Sequence, residues 1–126
     1  MTRAALAALL VLGGCVDADE RPASWRYVHA AIVAPGCATA GCHAADEAAG
    51  GLDLSTASRA YQALTGAACG DPPAPGRWVV PFDPAASPLI GVLRGQGAAL
   101  MPPELPLATP EIDLVDRWIL EGAACN

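Results

Sequence analysis

The run Cys37-Ala38-Thr39-Ala40-Gly41-Cys42-His43 sets two thiols and an imidazole side by side in one short stretch. Two cysteines followed at once by a histidine suit covalent haem attachment: each thiol adds to a porphyrin vinyl group, and the adjacent imidazole reaches the iron. Here four residues separate the cysteines where two are usual, so the loop must bulge. The small Ala38 and Ala40 and the flexible Gly41 permit that bulge. An iron used for electron transfer takes a second axial ligand, and a thioether there raises the reduction potential. Met101 is the one methionine besides Met1, and Pro102-Pro103 after it hold the backbone extended. His29 is the other candidate ligand. It sits one turn before the end of a helix, where a surface or lightly packed residue is expected.

The chain has five cysteines, an odd number. The first follows Met1 to Gly14, which hold one cation, Arg3, and an apolar run from Ala4 to Leu12. That run is too short for a bilayer core of ~30 Å, which needs about 20 helical residues, so residues 1–14 read as a signal peptide. Leu12-Gly13-Gly14-Cys15 resembles a bacterial lipobox, which implies a lipidated Cys15 as the mature N-terminus and an anchor that does not span the membrane. By resemblance to enteric sorting rules, Val16 in place of Asp after the cysteine implies the outer membrane, at its periplasmic face or the cell surface. Export also implies an oxidising compartment. There Cys69 and Cys125 are expected to form a disulfide, although by ligand type Cys69 could join Cys37, Cys42 and His43 in a zinc site.

The elements that position these groups are short. Residues 15–23 are acidic at Asp17, Asp19 and Glu20 and read as a tether; residues 24–126 read as one domain. Ser24 starts a helix over 25–34 with Trp25, Val28 and Ile32 on one face, and Pro35-Gly36 ends it immediately before Cys37. Gly50-Gly51 turns the chain into the extended Leu52-Asp53-Leu54. Ser55 is expected to cap a second helix over 56–65, ended by Gly66. From Cys69 to Pro84 the prolines forbid regular structure, and only Trp78-Val79-Val80 interrupts the surface loop. Ser87-Pro88 starts a third helix to Arg94, and Thr109-Pro110-Glu111 a last one to Glu121 with Ile112, Val115, Trp118 and Ile119 buried. The expected class is all-α: three to four short helices joined by long Pro/Gly-rich loops.

In order along the chain, these motifs resemble the planctomycete-type cytochrome c domain, a relative of the small class I c-type cytochromes. The resemblance runs from Val28 to Ala123. It rests on the Cys37 to His43 run, Gly50-Gly51-Leu52-Asp53-Leu54, Val80-Pro81 with Asp83-Pro84 and Ser87-Pro88-Leu89, Met101-Pro102-Pro103, and Trp118-Ile119 before Gly122-Ala123. It implies one covalent haem c, with thioether bonds from Cys37 and Cys42, His43 as proximal ligand and Met101 as distal ligand. Phe82 departs from the pattern, standing where the family commonly has glycine.

Composition narrows the function classes. Seven Arg and no Lys against 13 acids give a net charge of −6, and no cluster of cations is available for nucleic acid. The expected function is a lipid-anchored monohaem cytochrome that carries single electrons to a redox partner with a basic docking patch. A carrier is expected here, not a catalyst, because a His/Met-ligated iron has no open position for a substrate. The alternative is a haem-free lipoprotein module of the same fold, with a Cys37–Cys42 disulfide and a binding or structural role.

Overall fold

A computed structural model describes residues 20–97 and 99–126. The signal peptide, Cys15 and the tether up to Asp19 lie outside the described residues. The domain is all-α, with no strand among the described residues. Among the described residues no helix is long and apolar enough to cross a membrane.

The first helical rod has three parts: α1 (Trp25–Val28), a π turn (His29–Val33) and α2 (Ala34–Gly36). Ser24 caps it by accepting from the Tyr27 N–H. The rod passes through Pro35, where the sequence pattern placed its end. A proline inside an α-helix removes one hydrogen bond and crowds the carbonyl four residues back. The wider π turn immediately ahead of Pro35 absorbs that crowding and carries the helix on to Cys37.

Helix α3 (Ala57–Thr65) is capped by the Thr56 hydroxyl, which accepts from the Arg59 N–H, and ends at Gly66 in a left-handed conformation. Ser55 serves differently: its N–H and hydroxyl both bond to the Asp53 carboxylate. Helix α4 (Pro88–Arg94) begins at Ser87, whose hydroxyl donates to the Asp83 carbonyl and accepts from the Val80 N–H, fixing the preceding turn. Helix α5 (Thr109–Leu120) is closed at its start by the Glu111 carboxylate, which accepts from the Ala108 N–H. Arg94 bridges α4 to α5 through Asp116 at 2.9 Å.

The core forms where α1, α3 and α5 meet. Trp25, Tyr61 and Trp118 are buried there, with ring centroids 4.9 Å apart for the two tryptophans and 5.7 Å for Trp25 and Tyr61. Such pairs contribute about 0.5–1.5 kcal/mol each beyond the burial of their area. Their polar atoms are satisfied by backbone: Trp25 donates to Ala57 O, Trp118 to Ala124 O and Tyr61 to Ala123 O. A disulfide between Cys69 and Cys125, with Cα atoms 5.3 Å apart, ties the loop after α3 to the end of the chain. That chain end in turn meets the start of α1, where Trp25 N–H donates to the Asn126 side chain and Arg26 N–H to its carbonyl.

The loop from Cys69 is exposed as far as Pro75 and then docks. Gly76 lies against the end of α3, where a Cβ would fall 2.2 Å from the Thr65 carbonyl oxygen. This close approach brings Val79 into the core and Trp78 alongside it. Phe82 adopts a left-handed backbone (φ 67°), a conformation glycine takes without strain, and its exposed ring lies over Gly122.

Candidate functional site

Helix α2 delivers the chain to Cys37, whose N–H donates to Val33 O. The following loop folds on itself: Cys42 N–H donates to Thr39 O at 3.0 Å and His43 N–H to Cys37 O at 3.1 Å. Gly41 takes a left-handed conformation (φ 80°), and its N–H donates to the Glu47 carboxylate. This is how four intervening residues fit between the cysteines while the imidazole stays next to them.

The extended segment Leu52-Asp53-Leu54 lies against this loop. Leu54 N–H donates to His43 O at 2.9 Å, and His43 Nδ1 lies 3.2 Å from Leu52 O. A carbonyl oxygen can only accept, so Nδ1 carries the proton and Nε2 is left with its lone pair. Neutral imidazole in that tautomer is a competent metal ligand.

Cys37, Cys42 and His43 border a cavity of about 310 Å³. Met101, Pro102 and Pro103 border it as well, and Leu52, Leu54, Leu64, Trp78, Leu89, Val92 and Leu93 supply apolar wall. The volume is at the low end of the ~300–1,000 Å³ of small-molecule and cofactor sites. A second, more open groove shares Gly36, Cys42, Pro102 and Pro103 with it and continues past Leu105 and Glu111. Met101 is 38% exposed, at the rim, and its N–H is fixed to Val92 O at 2.9 Å.

Both cysteines of the loop are free thiols and half-buried. Burial, then the neighbouring Cys42 and Glu111, push the Cys37 thiol up to about 11. Cys69 is bonded to Cys125, which removes it from any zinc site with Cys37, Cys42 and His43. No group of three or more His, Cys, Asp or Glu among the described residues could hold a metal ion. His29 borders none of these cavities. It is 9% exposed, not a surface residue, and its Nε2 lies 3.2 Å from Leu54 O. Ile32 and Trp118 stand one layer behind the cavity, around a void of about 30 Å³ that Cys37 and Leu54 also border.

The sequence pattern missed part of the wall. Trp78 borders the cavity and carries Arg77 over its ring, the guanidinium 5.6 Å from the centroid. The signal available was an apolar Trp-Val-Val island in a proline-rich loop.

No family model, curated protein or solved structure matches the chain.

Proposed function

We propose that this chain is a lipid-anchored monohaem c-type cytochrome that carries single electrons. One observation bears most of the weight: a single apolar cavity is bordered by Cys37, Cys42, His43 and Met101. The donor set suits haem c. Cys37 and Cys42 would hold it through thioether bonds, His43 Nε2 and the Met101 thioether would be the groups that ligate its iron, and the leucine wall would shield it from water. The haem iron supplies reversible one-electron chemistry.

The chain's own residues do the rest. Leu52 O orients the His43 ring by accepting the Nδ1 proton. Pro102 and Pro103 limit the backbone around Met101. Arg77, over the ring of the wall residue Trp78, is a cation of the sign that porphyrin carboxylates would pair with. The net charge of −6 suits docking on a basic partner surface, with transfer faster at low salt. Export and a lipid on Cys15 place the carrier at the outer membrane in this reading.

The test is expression with a periplasmic haem-attachment system. The product is expected to be red and to keep its haem through acid and organic solvent. A colourless product whose peptide map holds a Cys37–Cys42 disulfide would overturn the cytochrome reading in favour of a haem-free module.

A further inference from the structure

His29 is a buried titratable group that the proposed function leaves unused. It stands where the π turn begins, four residues after Trp25, whose ring centroid is 5.8 Å away. Its one side-chain hydrogen bond reaches Leu54 O at 3.2 Å. Because a carbonyl accepts only, His29 is the Nε2–H tautomer and donates. The residue that receives this bond is the one that grips His43: Leu54 N–H donates to His43 O, and two residues earlier Leu52 O takes the His43 Nδ1 proton. Trp25 repeats the pattern one turn away by donating to Ala57 O. The first helical rod thus holds residues 52–57 by two buried ring donors, and that segment holds the imidazole.

We propose that His29 is a positioning residue for His43. Its Nε2–H fixes the Leu54 carbonyl. That sets the height of the Leu52-Asp53-Leu54 segment, and with it the Leu52 carbonyl that selects the His43 tautomer and points Nε2 at the cavity. The importance of His43 rests on the cytochrome reading; the hydrogen-bond relay does not.

Nitrogen-15 NMR of the imidazoles reads both tautomers in the full metal-free chain, with Cys37 and Cys42 reduced, at pH 8, above the ordinary imidazole value. The expected result is a proton on Nε2 of His29 and on Nδ1 of His43. His29→Phe keeps the ring volume and loses the donor, so His43 should fall back to the tautomer mixture of a solvated imidazole. His29→Gln keeps an N–H at the same reach and should restore the native His43 signal. Val28→Ala weakens the same rod without touching the relay and should leave His43 unmoved. An unmoved His43 in His29→Phe, or an equal change in Val28→Ala, overturns the proposal. If His29→Phe does not fold, the native chain decides: a His29 proton on Nδ1 overturns the relay, and a through-bond coupling from Nε2–H to the Leu54 carbonyl supports it. None of these readings needs haem, so a chain that never takes haem counts against the cytochrome reading alone.

Discussion

Alkylation of Cys37 measures how dry the cavity wall is. Only the thiolate reacts, and burial beside the leucine wall, with smaller contributions from Cys42 and Glu111, raises this thiol from an ordinary 9.0 to about 11. Two pKa units lower the thiolate fraction at pH 8 about a hundredfold relative to an unperturbed cysteine. In the reduced, haem-free chain, iodoacetamide followed by peptide mass spectrometry should therefore find Cys37 modified about a hundredfold more slowly than a solvated thiol. Its rate should climb tenfold per pH unit up to about pH 11. A plateau reached near pH 9 would refute the reasoning, because it would mean water reaches the sulfur freely. The same shift has a sign for stability. The unfolded thiol ionises near the ordinary 9.0 and the folded one near 11, so the folded state binds its proton more tightly. That contribution is fully present below the unfolded value and is lost as pH rises through the folded one. Urea midpoints of the native chain should fall between pH 8 and pH 11 by more than those of Cys37→Ser.

Reduction of the Cys69–Cys125 disulfide, or its replacement by alanines, opens a loop with a sequence separation of 56; chain entropy sets the expected loss at about 4 kcal/mol, read from denaturant melts. Gly76→Ala drives a Cβ to 2.2 Å from Thr65 O, so a loss of about 2 kcal/mol or more is expected, with Trp78 displaced; an unchanged melting temperature would contradict that contact. Tyr61→Phe removes the partner of the Ala123 carbonyl in a fully buried site, for which about 1–3 kcal/mol is expected. In a haem-loaded chain Met101→Ala should abolish the sulfur-to-iron charge-transfer band and lower the potential while the haem stays covalently bound; an unchanged spectrum would reduce Met101 to packing.

Much of this arrangement is legible in the sequence. Ser87-Pro88 and Thr109-Pro110-Glu111 mark the starts of α4 and α5 because proline in the first helical turn gives up a hydrogen bond that would go unmade anyway. The neighbours Ser55 and Thr56 could each have capped α3. Asp53 decides between them by binding both polar groups of Ser55. Pro35 misleads as a terminator because the π turn that tolerates it leaves no mark in a 3.6-residue pattern. His29 misleads through its polar type: its position relative to Trp25 lies on the buried face, and only the distant Leu54 carbonyl makes burial affordable. Cys37, Cys42 and His43 gather by local spacing. Their meeting with Met101 and Trp78 depends on long-range docking, which no short motif encodes.

The placement of the indoles has an optical consequence. Trp78 is on the cavity wall, and Trp118 and Trp25 stand one layer behind it around the adjoining void. All three are the only tryptophans in the chain. Their emission therefore originates around one small volume, and an absorbing chromophore seated there would quench nearly all of it at once. Intrinsic fluorescence would then report occupancy of the cavity by such a chromophore with no added dye.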